Sequence, residues 1–287
     1  MTQPSAAPSV RVRLAAVGVA LSFLLAGFLF AGLGYAGLLQ PLFGDATPDL
    51  AASALLQALC SLASFGTLTW LMGLRAARLT ANDLRWVPGG VPGFSRGFSI
   101  GAAPAVAILL LGVTVAGAGW RTDGGTALAW LANVGGLVGL LFPAALAEEV
   151  IFRGLALVVL ARAFGRWPAV VTMAVLFGAA HLFNPGITLT GVANITLAGV
   201  FLGLVFYLPG GLWAATGAHL GWNLTLAALA APVSGLPLPV PGIDYATGGP
   251  LWLTGGGFGP EGGVIATVAL LTAIVLVARV LSKETEA

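Results

Sequence analysis

The sequence predicts an all-α membrane protein, a polytopic bundle of about eight transmembrane helices with both termini in the cytoplasm. Three observations predict this class. Of the 287 residues, 58% are hydrophobic and only 8% are charged, against about 25% charged residues in a typical globular protein. The apolar residues form continuous runs of roughly 17 to 25 residues, the length that crosses a bilayer as a helix. The basic residues gather on one side of these runs, as expected for cytoplasmic loops.

Eight apolar runs, separated by Gly, Pro and charged residues, define the predicted helices. The first run follows Arg11 and Arg13 and is too long for the core of a signal peptide, so we expect it to remain as a span. The other runs lie near residues 51–74, 98–119, 127–160, 167–184, 188–208, 211–231 and 262–281. Membrane β-strands are disfavoured because they are alternating segments of about 10 residues. We expect a single transmembrane domain at residues 11–282, with short tails at residues 1–10 and 283–287.

The orientation follows from the positive-inside rule. With eight spans and a cytoplasmic N-terminus, the basic residues on the cytoplasmic side are Arg11, Arg13, Arg75, Arg78, Arg85, Arg96, Arg162, Arg166, Arg279 and Lys283. The acidic residues on the outer side are Asp45, Asp49, Asp123, Asp244 and Glu261. Residues 75–97 form a predicted cytoplasmic loop with a Pro/Gly turn at 87–93. The Pro-rich outer loop at 232–260 is expected to have little regular structure, and the sequence assigns it no chemistry.

Composition also argues against several classes of function. The net charge of +2 argues against a nucleic-acid partner. A single cysteine, Cys60, excludes an intrachain disulfide and a thiolate cluster. The runs show no convincing internal repeat, which weakens a transporter interpretation based on inverted repeats.

Ionisable residues within the apolar runs are the most informative, because each costs about 2.5 to 3.5 kcal/mol to insert unless it is paired or faces a cavity. The polar residues of this kind are Glu148, Glu149 and Arg153 on the fourth predicted helix, His181 and Asn184 on the fifth, and His219 and Asn223 on the seventh. At about 1.5 Å per helical residue from the cytoplasmic landmarks, Glu149, His181 and Asn223 lie about 20 Å deep. These overlapping depths predict one shared buried site.

The spacing within each helix suggests distinct tasks. Glu149 and Arg153 are four residues apart and can neutralise one another, whereas Glu148 points about 100° away and is free for another partner. Purely structural interpretations are also open. An isolated intramembrane His or Asn is often only an interhelical hydrogen-bonding residue, and a Glu–Arg pair can be a structural salt bridge. A second adjacent carboxylate adds repulsion that folding does not need. Asn184, directly before Pro185, is better explained as a helix-end or turn residue.

Two carboxylates, two histidines and an asparagine suit hydrolysis by activated water. A carboxylate beside a histidine in a partly dry site can take a proton from water, and a second histidine with an asparagine can donate to a developing oxyanion. A glutamate with two histidines can instead hold zinc and one water. No serine or cysteine lies beside a histidine in the sequence, so a nucleophile triad is unsupported.

The three stretches together resemble the CPBP family of membrane-embedded endopeptidases, which includes type II CAAX prenyl proteases and bacteriocin-processing (Abi) proteins. The matching motifs are Glu148-Glu149-Val150-Ile151-Phe152-Arg153-Gly154, then Phe177-x-x-x-His181, then His219-x-x-x-Asn223. Their order, on three different helices, matches the family pattern over residues 127–231.

The resemblance implies a role for each matching residue. Glu148 corresponds to the water-activating glutamate with His181 as its partner, and His219 with Asn223 corresponds to the pair that stabilises the oxyanion. Glu149 and Arg153 are interpreted as support that orients Glu148 and as a contact for a substrate carboxylate. Zinc and metal-free mechanisms are equally compatible with the motifs. If zinc is bound, its candidate ligands are Glu148, His181 and His219.

We therefore expect an intramembrane endopeptidase acting on a membrane-associated protein or peptide, including a prenylated one, from a cavity that opens to the cytoplasm. The expected partners are the lipid bilayer and that substrate, with no nucleic acid. The resemblance implies the plasma membrane of a prokaryote, crossed many times. The alternative is a non-catalytic membrane scaffold or bacteriocin-immunity protein of the same fold, and a secondary transporter ranks third.

Overall fold

The structure, a computed structural model, describes residues 8–44, 46, 48–86 and 90–286. Within these ranges the chain is mainly helical, with one small sheet. The helices are α1 (Val10–Phe43), α2 (Leu50–Leu68), α3 (Gly90–Ala116), α4 (Ala127–Arg153), α5 (Leu155–Phe164), α6 (Arg166–Ala180), α7 (Leu189–Val205), α8 (Leu212–Ala228), α9 (Leu251–Thr254) and α10 (Val264–Glu286). The prediction of an all-α fold is confirmed.

Among the described residues, four helical segments are long and apolar enough to cross a membrane: Val10–Phe43, Leu50–Ala76, Gly90–Ala116 and Val264–Lys283. The second combines α2 with a π-helical continuation at Thr69–Ala76. Their surfaces expose large apolar side chains such as Leu25 and Leu276, which are favourable in contact with lipid. The chain is therefore a membrane protein, while the number of about eight spans and the cytoplasmic termini stay predictions.

The apolar run at 127–160 was expected to be one helix, and this expectation is wrong. The chain breaks between α4 and α5 at Gly154, whose backbone angles of φ −82° and ψ −133° are not helical. A Cβ atom at Gly154 would lie 2.2 Å from the carbonyl oxygen of Val150, so the break requires glycine. The break ends α4 at Arg153, immediately after the polar stretch.

Other predicted boundaries fall partly outside the described residues. Residues 1–7 of the expected N-terminal tail and residues 87–89 of the expected turn at 87–93 lie outside the described ranges. Asp45 lies outside them as well. α3 already begins at Gly90, within the second half of that turn. At the other end of the chain, α10 continues to Glu286, past the predicted end of its span.

The backbones of α3 and α8 pack almost in contact. A Cβ atom at Gly97 would lie 2.0 Å from the carbonyl oxygen of Ala214, and one at Gly101 would lie 1.8 Å from that of Ala218. Small residues permit this approach between membrane helices. Because α8 also carries His219, the glycines of α3 support one wall of the polar site.

The outer loop between α8 and α10 is folded back onto the bundle, contrary to the expectation of little regular structure. It contains α9, two 3₁₀ turns at Gly256–Phe258 and Pro260–Gly262, and strand β2 (Asp244–Ala246). β2 pairs antiparallel with β1 (Gly119–Arg121), which follows α3. Both Phe258 and Glu261 of this loop are buried, so the loop is part of the core around the site.

Candidate active site

The structure places the predicted polar stretches of three helices around one cavity of about 350 Å³. Glu148 projects from α4, His181 caps the C-terminal end of α6, and His219 projects from α8. Asn223, one turn after His219 on α8, lines the same cavity. Four residues chosen from sequence alone therefore meet at one site.

Glu148 faces both histidines. Its Oε2 atom lies 3.7 Å from Nε2 of His219 and 4.0 Å from Nε2 of His181. These separations exceed a direct hydrogen bond of about 2.7 to 3.2 Å. Oε2 is buried, and no described residue donates a hydrogen bond to it. The three atoms are spaced to share a small polar molecule such as water.

The hydrogen bonds on the other ring nitrogens decide what each Nε2 atom can do. Nδ1 of His181 is 2.7 Å from the carbonyl oxygen of Phe177, and a carbonyl oxygen only accepts, so Nδ1 carries the proton. Nδ1 of His219 is 2.8 Å from Oε1 of Glu149 and donates in the same way. In each neutral ring, Nε2 therefore presents a lone pair towards Glu148.

Glu149 and Arg153 form a buried network beside the cavity. Arg153 Nη1 donates to Glu149 Oε1 over 2.9 Å, with 2% and 0% of the two side chains exposed. Arg153 Nη2 donates to the carbonyl oxygen of Gly199 over 3.1 Å, and its guanidinium carbon lies 4.6 Å from the ring centre of Phe177. The pairing follows the predicted i, i+4 spacing. Glu149 Oε1 also lies 2.8 Å from Nδ1 of His219, and Arg153 is enclosed in the core.

Asn184 lies in the turn after α6, where its Nδ2 donates to the carbonyl oxygen of Ser234 over 2.9 Å. It therefore links the end of α6 to the outer loop, which agrees with its interpretation as a turn residue. Its side chain also lines the cavity.

The comparison with protein families covers the same part of the chain. Residues 129–225 match the family model described as type II CAAX prenyl endopeptidase Rce1-like. The resemblance to the CPBP family of membrane proteases is confirmed. No curated protein and no solved structure matches the chain. The matched CPBP segment runs from the start of α4 into α8 and contains Glu148, His181, His219 and Asn223.

Glu261, which sequence reasoning assigned no role, lies outside the matched CPBP segment but lines its cavity. Its Oε1 accepts a hydrogen bond from Trp222 Nε1 over 2.8 Å, and its Oε2 accepts one from the backbone N–H of Ser234. It also interacts electrostatically with His181 and His219. The available signal was an acidic residue in a loop otherwise rich in Gly and Pro, but no helical periodicity connects residues so far apart.

The cavity is also bounded by segments before and after the matched residues 129–225. Besides the polar residues, it is lined by Leu50 and Ala54 from the first half of α2 and by Val233 and Leu236 from the outer loop. The cytoplasmic termini and the cytoplasmic opening of the cavity both stay predictions.

The three zinc candidates have suitable donor types but not the arrangement of a preformed zinc site. In a tetrahedral site with bonds of about 2.0 to 2.2 Å, donor atoms lie about 3.4 Å apart. The distances from Glu148 to His219 and His181 are 3.7 and 4.0 Å. No group of three or more His, Cys, Asp or Glu in the described ranges could hold a metal ion. These residues, as placed, do not fit zinc.

Proposed function

We propose that the protein is an intramembrane endopeptidase that hydrolyses a peptide bond of a membrane-associated protein or peptide, with Glu148 activating water. The observation that carries this proposal is the convergence of one unpartnered carboxylate oxygen and two imidazole lone pairs at 3.7 and 4.0 Å. The match to a protease family over residues 129–225 supports the same reaction class.

The geometry supports the following sequence of steps. A water between Glu148 and His181 donates one hydrogen bond to each, Glu148 takes its proton, and the oxygen attacks the carbonyl carbon of the substrate. Glu148 then returns the proton to the leaving nitrogen as the C–N bond breaks. The same carboxylate thus acts first as a base and then as an acid.

The developing oxyanion faces α8 in this proposal. Asn223 can donate from its amide, and His219 can donate from Nε2 once the ring takes up a second proton at that nitrogen. The hydrogen bond from His219 Nδ1 to the Glu149 carboxylate favours the charged ring and fixes its orientation. Glu149 and Arg153 are therefore positioning residues, and contact of the enclosed Arg153 with a substrate carboxylate is not part of the proposal.

The rest of the cavity suits an apolar substrate segment. Small and apolar residues line it from α2 and α4, among them Ala54, Ala58, Ala144 and Ala147. Such a wall accepts an aliphatic side chain or a lipid group without leaving polar atoms unpaired. We propose a membrane-associated substrate on this ground, with prenylated peptides as one class to be tested, and the plasma membrane, crossed many times, as the location.

The decisive experiment compares wild-type protein with Glu148→Gln, a variant of nearly identical shape, on a panel of labelled membrane-tethered and prenylated peptides. Loss of general base catalysis should lower turnover by at least about 100-fold, while thermal unfolding in detergent stays close to wild type. Full activity in folded Glu148→Gln would contradict the proposal.

Repeating the cleavage assay with a metal chelator distinguishes the glutamate mechanism from a zinc mechanism. Activity that survives chelation in metal-free protein supports glutamate-activated water, whereas loss that zinc reverses supports a metal mechanism. If no peptide is cleaved by folded protein, the non-catalytic scaffold becomes the better interpretation.

The orientation is tested separately with reporters fused to the C-terminus. A cytoplasmic reporter signal would support the predicted orientation of the C-terminus, and an external signal would overturn it.

A further inference from the structure

The cavity wall carries a marked imbalance of charge. Among the described residues that line it are two carboxylates, Glu148 and Glu261, and neither Lys nor Arg. The nearby cation Arg153 is enclosed in the core and already paired with Glu149. A substrate segment in the cavity therefore meets two carboxylates, and the basic groups beside them in the described lining are the imidazoles of His181 and His219.

Glu261 is held firmly in this position from three directions. Its two carboxylate oxygens accept from Trp222 on α8 and from the backbone N–H of Ser234. Its own carbonyl oxygen accepts from Asn194 Nδ2 on α7 over 2.7 Å. Burial raises the pKa of the Glu261 carboxyl, while the hydrogen bonds from Ser234 and Trp222 and the nearby imidazoles act in the opposite direction and favour its ionised form. Because backbone and side chain are both bound, the carboxylate is held in one orientation in the cavity wall.

We propose that Glu261 is a specificity-determining residue that makes the outer-loop wall of the cavity anionic, so that the site disfavours an acidic residue beside the scissile bond and accepts a neutral or basic one. This inference rests on the proposed function, because it assumes that the cavity holds the peptide to be cleaved. Like charges brought together in a poorly solvated site repel strongly. The outer loop thereby contributes to substrate choice from outside the CPBP segment.

The test uses three N-palmitoylated, Ala-rich peptides that are identical except for a central Lys, Gln or Glu. Wild-type protein should cleave the Lys peptide with a kcat/KM at least about tenfold above that of the Glu peptide. In Glu261→Gln this ratio should fall towards one, and in Glu261→Asp, which keeps the charge, it should persist.

Asp244→Asn is the matched control. Asp244 lies in the same outer loop but is exposed and does not line the cavity, so this variant removes the same charge without changing the wall. In this variant the ratio of kcat/KM for the Lys peptide to that for the Glu peptide should equal the wild-type ratio. If Asp244→Asn lowers the Lys to Glu ratio of kcat/KM as much as Glu261→Gln does, the preference reflects the net charge of the protein, and the proposal is overturned.

Binding of the same peptides separates this proposal from the proposed function. Fluorescence anisotropy in the Glu148→Gln background, with and without Glu261→Gln, measures charge preference without cleavage. If the Lys peptide binds more tightly in a way that depends on Glu261, but wild-type protein cleaves no peptide, the proposed peptidase activity is contradicted. The proposed charge preference of the cavity wall is then still supported. Absence of any preference in wild type, or an unchanged preference in folded Glu261→Gln, would overturn the specificity role.

Discussion

Two ion pairs in this molecule have the same chemistry and opposite surroundings. Arg153 and Glu149 are 2.9 Å apart with 2% and 0% of their side chains exposed. Arg162 and Asp83, which join α5 to the loop before α3, are 2.5 Å apart with 51% and 35% exposed. The distance is shorter in the exposed pair, yet the buried pair should matter far more to the protein. Burial, and not separation, decides what it costs to remove one partner.

The buried pair also differs in what it holds. Glu149 accepts from His219 as well as from Arg153, so the pair connects α4 to the candidate catalytic ring on α8. The exposed pair connects Asp83 to a turn at Thr80, whose backbone N–H and hydroxyl both donate to the same carboxylate. One pair supports the site, and the other fixes a surface turn.

The largest expected effect comes from breaking the buried pair. Arg153→Ala leaves the buried Glu149 without its arginine and with only the hydrogen bond from His219, and it should lower the free energy of unfolding by about 3 to 5 kcal/mol. Reversible unfolding in mixed micelles with denaturant measures this loss. A change below about 1 kcal/mol would make the buried pair equivalent to a surface pair and break the comparison.

A smaller effect on stability is expected when both charges of the buried pair are removed together. The double variant Glu149→Leu/Arg153→Met leaves no unpaired charge, so its stability should stay within about 2 kcal/mol of wild type. Peptide cleavage should nevertheless fall by about 10- to 100-fold, because His219 loses the acceptor that orients it. Wild-type turnover in this folded variant would show that Glu149 does not position His219.

Removing the exposed pair should have almost no effect on global stability. Arg162→Ala leaves Asp83 in water, where ionic attraction is weak and screened by salt. We expect an unfolding midpoint indistinguishable from wild type by circular dichroism, at low and at high salt. A clear drop in that midpoint would show that the surface turn is coupled to the bundle.

The smallest predicted effect is a local response of the turn to acid. Hydrogen bonds from the Thr80 backbone and hydroxyl, with a contribution from Arg162, hold the pKa of Asp83 below its usual value. The stabilisation of the turn is therefore complete above the unfolded pKa of about 3.9 and is lost as the pH falls through the lower folded value. Hydrogen exchange at residues 80–85 should rise only in strong acid, and Asp83→Asn should remove this dependence.

Individual residues show how far the sequence could predict the site. Glu148, His181, His219 and Asn223 were chosen from ordered motifs on helices of overlapping depth, and the structure brings them to one cavity. Glu261 could not be found in this way, since its partners Trp222 and Ser234 are reached only when the outer loop folds back. Gly154 lies inside a continuous apolar run of the sequence, and hydropathy alone gives no sign that the helix breaks at this glycine.

The sequence by itself determined that the chain is helical and lies in a membrane, because long apolar runs can satisfy their backbone hydrogen bonds in lipid only as helices or closed barrels. It also determined which side chains could carry the chemistry, because so few polar groups occur in those runs. Only the tertiary structure decided that Glu149 holds His219, that α3 packs against α8 through Gly97 and Gly101, and that Glu261 lines the cavity. These contacts join residues on separate elements, and helical spacing carries no information about which distant surface will fold against them.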